Sequence, residues 1–128
     1  MSSIKVVDVN NKKYIIEPFK GRKGFKLKAK LLHVLAPALD SFKEDSQNEK
    51  ITEIGMIVGA LQSVIEKSDS DEIFDVVEEL ISGVKTESGA VDFDIEFSQN
   101  YSALYKLIKE VIEVNYKDVF SLLGINVG

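Results

Sequence analysis

The sequence predicts an α+β fold that is mostly α: an N-terminal β-hairpin followed by four to five helices in a small bundle. Two patterns carry that prediction. Alternating β-branched residues fill the first positions, up to Ile16, and from about residue 22 apolar residues recur every three or four, the period of an amphipathic helix. Length sets the scale. With 128 residues, 45% of them hydrophobic, the chain predicts a single domain over 1–128 that hides roughly two thirds of its unfolded surface.

The hairpin is expected over 1–17. Ile4-Lys5-Val6-Val7-Asp8-Val9 alternates, Asn10-Asn11 tolerates positive φ, and Lys12-Lys13-Tyr14-Ile15-Ile16 resumes the alternation. Ile4 and Val6 share one side of the first strand and Val7 and Val9 the other, so helices must cover one face; two strands alone are not stable. Pro18 closes the second strand.

The helical part is expected over 22–123. Its first helix sets Leu27, Leu31, Val34 or Leu35, Ala38 and Phe42 on one side and Arg22, Lys26 and Lys30 on another, with Pro37 kinking rather than ending it. The wholly polar residues 43–50 predict an exposed loop. A second helix over 51–67 presents Ile51, Ile54, Val58, Leu61 and Ile65. A third over 71–82, capped by Ser68-Asp69-Ser70 and with Asp71, Glu72 and Asp75 near the positive end of its dipole, turns Ile73, Val77, Leu80 and Ile81 inward and ends at Gly83. Residues 84–94 predict a short second hairpin or an irregular link. In the extended reading of 91–97, Asp92, Asp94 and Glu96 take one side and Val91, Phe93, Ile95 and Phe97 the other. The last long helix, 98–115, carries the stripe Phe97, Tyr101, Leu104, Ile108, Val111 and Asn115, widened by Leu107 and Ile112, and 116–123 forms a short apolar tail turn before Gly124.

Charge divides the chain in two. Residues 1–35 hold nine Lys/Arg against Asp8 and Glu17, a net of +7, while the remainder holds seven against nineteen acids, a net of −12. Such asymmetry marks either a basic surface for an anionic partner or an internal neutralisation of one half by the other. The overall charge of −5 opposes the long-range attraction on which DNA binding relies.

Little in the sequence points to catalysis. There is no cysteine, which removes thiol nucleophiles, disulfides and Cys-ligated metals. His33, the only imidazole, lies on a helix with no acid three or four residues away to orient it as a base. Asp69-x-Asp71 followed by Asp75 departs from a calcium loop, with Phe74 where glycine is needed and Leu80 where glutamate is. Gly21-Arg22-Lys23-Gly24 lacks the Walker and dinucleotide patterns, and Tyr14, Phe19 and Phe25 form no RNA-stacking motif. We therefore expect no enzyme activity, no cofactor and no metal. No apolar run approaches the roughly 18 residues of a membrane span, and Met1-Ser2-Ser3-Ile4-Lys5 has no signal-peptide stretch, so neither a membrane location nor export is expected.

The order of features is nevertheless distinctive. A short hairpin leads to Phe19-Lys20-Gly21-Arg22-Lys23-Gly24 and Leu27, then Leu35-Ala36-Pro37-Ala38-Leu39. A terminal block follows: Phe97-Ser98, Tyr101, Leu104-Tyr105-Lys106-Leu107, Glu110-Val111, Asn115-Tyr116 and Phe120 to Gly124. Together these resemble the tail assembly chaperones of long-tailed bacteriophages and prophages. The resemblance implies a non-catalytic protein of the host cytoplasm that coats the tape measure protein until tail-tube subunits polymerise, with the tail-tube protein and self-association as further expected contacts. It also implies that this chain is the short form where a frameshifted longer one exists. The side chains expected to meet a partner are the basic Arg22, Lys23, Lys26 and Lys30 and the apolar Tyr116, Phe120 and Leu123, the alternative for the apolar three being docking onto the chain's own core. The alternative is a small phage or bacterial regulator that uses its basic first third on nucleic acid.

Overall fold

The computed structural model describes residues 4–45, 53–67 and 71–122. In chain order the elements are β1 (Lys5–Val9), β2 (Lys12–Ile16), α1 (Gly21–Asp45), α2 (Glu53–Lys67), α3 (Asp71–Ile81), β3 (Val84–Thr86), β4 (Gly89–Ala90), α4 (Phe93–Glu96) and α5 (Tyr101–Leu122). The fold is α+β and mostly α.

Asn10 and Asn11 sit at φ 51° and 68°, the left-handed pair that a two-residue hairpin turn requires, and Val9 pairs with Lys12 across it. The register puts Val7 opposite Tyr14 and Lys5 opposite Ile16. That face is covered: Val9, Tyr14 and Ile16 are buried, whereas Ile4 and Val6 on the other face are more than half exposed. Alternation in the sequence thus translates directly into one wet and one dry face. The sheet is wider than the hairpin. β3 pairs antiparallel with β2, Ile16 against Val84, and β4 continues outward in the order β1-β2-β3-β4. Glu17 donates its N–H to the Gly83 carbonyl at 3.1 Å, extending this seam. A Cβ on Gly83 would lie 2.9 Å from the Glu17 carbonyl oxygen, so only glycine fits there without movement.

α5 is the central helix. Ala103, Leu104, Leu107, Ile108, Val111 and Ile112 are buried along it, and it packs against α2, α3 and the inner sheet face. α1 contributes Leu27, Leu31 and Leu35, all fully buried, and lies on α2 and α3. Pro37 falls inside α1, which continues past it.

Several expectations need correction. The tail turn does not exist as a separate element, because Tyr116–Leu122 prolongs α5; nothing in this stretch, which lacks Pro and Gly until Gly124, stops a helix. Phe97 at the head of the expected stripe is buried, but Tyr101 is 62% exposed and does not belong to it. Residues 93–96 coil into α4 instead of extending. The Asp92 carboxylate accepts the Ile95 N–H at 3.3 Å, so a residue that reads as part of an alternating strand acts as a helix cap. The buried face of α2 centres on Ile57, Ala60 and Leu61, rotated from the expected stripe, because apolar residues occupy nearly every side of that helix. Lys43–Asp45 belong to α1. The remainder of the expected 43–50 loop, Ile51 and the Ser68-Asp69-Ser70 cap lie outside the described residues.

Several polar contacts fasten the sheet to the α4–α5 region, among them Asn10 with Ser102 and Lys106 and a cluster at Glu96. Glu96, with 14% of its side chain exposed, receives hydrogen bonds from the Tyr14 hydroxyl and from Lys12 Nζ at 2.7 Å. Burial works against the Glu96 carboxylate, but the two hydrogen bonds outweigh it and hold the carboxyl below its usual range. On the same face Lys5 donates to Glu110 of α5 at 2.8 Å. A carboxyl whose folded pKa is depressed stabilises the fold above its ordinary pKa of 4.5, and that contribution is lost as pH falls through the folded value. Glu96→Gln should therefore cost about 1–3 kcal/mol at neutral pH and show a shallower acid loss than the wild type in urea titrations between about pH 5 and 3.

Candidate functional site

α1 begins against local preference. The Lys20 carbonyl accepts the first helical hydrogen bond, from the Gly24 N–H at 2.8 Å, so a lysine occupies the N-cap position where Ser, Thr, Asp or Asn is favoured. The first turn carries no acid, and Arg22, Lys23 and Lys26 stand at the positive end of the helix dipole. Two side chains of α5 hold this start in place. Asn115 accepts the Phe19 N–H on Oδ1 at 2.8 Å while donating to the Val111 carbonyl, and Tyr116 donates its hydroxyl to the Gly24 carbonyl at 2.9 Å.

The spacing 22, 26, 30 places these cations on one side of α1, and Lys23 joins them at its neighbouring edge. Lys20, Arg22, Lys23, Lys26 and Lys30 surround a shallow hollow of about 460 Å³ with Glu79 of α3. Lys30 pairs with Glu79 at 3.1 Å, and Lys23 donates to Ser82 at 2.7 Å while lying 5.4 Å from the centre of the Phe19 ring. Among the described residues, Lys20, Arg22 and Lys26 are exposed and have no carboxylate within ion-pair distance. Farther along the same side a second hollow of about 530 Å³ is lined by Ala29, Lys30, His33, Glu72, Asp75 and Val76. Lys30 belongs to both, so the two hollows adjoin at the Lys30–Glu79 pair and together make up the groove between α1 and α3. Its α1 wall is basic and its α3 wall is acidic. Phe25 lies on α1 outside this groove, 67% exposed with Lys28 Nζ 4.5 Å from its ring centre.

The four cations expected to meet a partner are thus together and accessible. Tyr116 is different. It is 4% exposed and its hydroxyl is committed to Gly24, so it packs within the chain's own core and offers no surface. The reason is the continuation of α5, which carries Tyr116 on the same inward face as Ile112. The Phe120 side chain and Leu123 lie outside the described residues. The acidic wall was not anticipated: Asp71, Glu72 and Asp75 read from sequence as caps and dipole partners. Their spacing with Glu79 does place Glu72, Asp75 and Glu79 on one helical side, but only the packing of α3 beside α1 turns that side into a groove wall.

The described residues contain no group of three or more His, Asp or Glu side chains that would hold a metal, and none of their helices is long and apolar enough to cross a membrane. A family model described as phage tail assembly chaperone protein, TAC, matches residues 10–125. The chain belongs to that family. The match includes both walls of the groove and the α5 residues that fix the start of α1. Neither the curated proteins nor the solved structures contain a match to this tail assembly chaperone family member.

Burial and, secondarily, the Glu79 charge push the Tyr116 phenol up to about 12. The neutral phenol is the form that folding favours, so its contribution is complete below the ordinary pKa of 10.0 and is lost as pH rises through 12. Tyr116→Phe should cost about 0.5–2 kcal/mol at neutral pH and remove part of the stability loss seen by denaturant titration as pH is raised from 10 towards 12.

Proposed function

We propose that this protein works as a single domain in the host cytoplasm as a non-catalytic chaperone that binds the tape measure protein and keeps it soluble until the tail tube polymerises around it. The observation that carries the reading is the family match over residues 10–125. The surface supports it. A chaperone of this kind has to cover apolar helical segments and then release them, which favours a modest contact rimmed by charge over a large apolar interface. The groove between α1 and α3 has that character: a small apolar lining from Ala29 and the aliphatic stems of lysines, above the buried Val76 and bordered by charged heads. Arg22, Lys23, Lys26 and Lys30 are its contact residues in this proposal. The rival reading, nucleic acid on the basic third, is disfavoured by the carboxylates of Glu72, Asp75 and Glu79 in the same groove, which repel a polyanion laid along it.

Co-expression with a tape measure protein from the same genome tests the reading. The client should move from the pellet to the soluble fraction and copurify with the chaperone, and the complex should weaken as salt is raised, since its rim contacts are screened. A client that stays insoluble, with no complex recovered, contradicts it.

A further inference from the structure

The two walls of the α1–α3 groove carry opposite charge, and this polarity specifies more about the occupant than the presence of a basic patch does. On the α1 side stand Lys20, Arg22, Lys23, Lys26, Lys30 and His33; on the α3 side stand Glu72, Asp75 and Glu79. Among the described residues, only Lys30 and Glu79 neutralise each other across it. Arg22 and Lys26 on one wall and Glu72 and Asp75 on the other are exposed and make no ion pair among the described residues. From Lys20 to His33 the groove follows α1 for roughly 20 Å, the length of about 13 helical residues.

We infer that the groove binds an amphipathic helix of the client in a fixed rotational setting: apolar seam on Ala29 and the aliphatic stems of Lys26 and Lys30, acidic flank against α1, basic flank against α3. Complementarity of charge is the warrant. A helix with two acidic flanks meets the carboxylates of α3, one with two basic flanks meets the cations of α1, and a uniformly charged polyanion meets the same repulsion as the first. Only the mixed helix satisfies both walls. The surplus of cations at the start of α1, unfavourable for the isolated helix, is then compensated when the acidic flank docks beside it. This inference takes the occupant to be a client helix and so rests on the proposed chaperone role, while adding which face of that helix turns which way.

Three synthetic helical peptides of about 18 residues with one common apolar seam test it, carrying acidic–basic, acidic–acidic or basic–basic flanks, with fluorescence anisotropy as the readout. The mixed peptide should bind at least about tenfold more tightly than either uniform one, the difference expected from several rim charge contacts. Glu72→Lys with Asp75→Lys makes both walls basic and should reverse the order of the mixed and acidic–acidic peptides. Lys26→Glu with Lys30→Glu should reverse the order of the mixed and basic–basic peptides. All four positions lie on the surface of their helices, and circular dichroism checks that the variants fold. Equal binding of all three peptides, tighter binding of duplex DNA than of the mixed peptide, or unchanged order in the variants overturns the inference. The two levels separate: if the wild type and both double variants copurify the tape measure protein equally, the groove assignment fails and the chaperone role stands. If the peptides behave as expected but no tape measure complex forms, the chaperone role fails and the groove assignment stands.

Discussion

The structure depends on how the start of α1 is held. A helix with lysine at its N-cap, three cations in its first turns and no acid to meet its dipole has little local reason to begin at Gly21. It begins there because Asn115 and Tyr116, one turn of α5, hydrogen-bond to the backbone of Phe19 and Gly24, and because Leu27, Leu31 and Leu35 bury the opposite face completely. Core packing and two polar ties therefore keep in place a charged surface that the helix's own sequence disfavours. Local preference and tertiary structure disagree at this point, and such disagreements mark places where a sequence serves something besides stability.

The charge division of the chain acquires a spatial meaning from the fold. The basic first third does not simply neutralise the acidic remainder. Lys5 with Glu110 and Lys12 with Glu96 tie the first hairpin to the α4–α5 region, Lys30 with Glu79 spans the groove, and Lys85 with Glu17 links β3 to the end of β2. Beyond these, cations and carboxylates are left facing one another on adjacent helices with room between them. Exposed pairs of this kind contribute little to folding stability, about 0–1 kcal/mol each. Their disposition is better understood through what they admit and repel than through what they hold together.

Much of the architecture is legible in the sequence because the dominant signal, hydrophobic period, is strong where it counts. The Val6–Val9 alternation, the Asn10-Asn11 turn and the Leu27-Leu31-Leu35 stripe need no tertiary context. What stays hidden is what depends on distant partners. Val84 pairs with Ile16 through a register that only packing sets. Asp92 has the same side chain as a strand residue and as a cap, and its role is decided when the Ile95 N–H needs an acceptor. Tyr116 looks like an accessible apolar tip while 116–123 reads as a separate turn; once α5 runs through it, the ring is drawn under the start of α1. The candidate site divides likewise. Its basic half is a stripe in one helix and visible as such, but its acidic half becomes part of a groove only when α3, separated from α1 in sequence by α2, folds back beside it.

Because the chain has no cysteine, a single one can be introduced as a site-specific probe without a competing thiol. The most direct measurement labels Lys26→Cys on the groove and Lys109→Cys on the exposed side of α5 with a photoactivatable cross-linker, in chaperone copurified with its tape measure protein. The account predicts a covalent adduct from position 26, mapped by mass spectrometry to an amphipathic helical segment of the client, and none above background from position 109. An adduct formed equally from both positions, or only from 109, would contradict it.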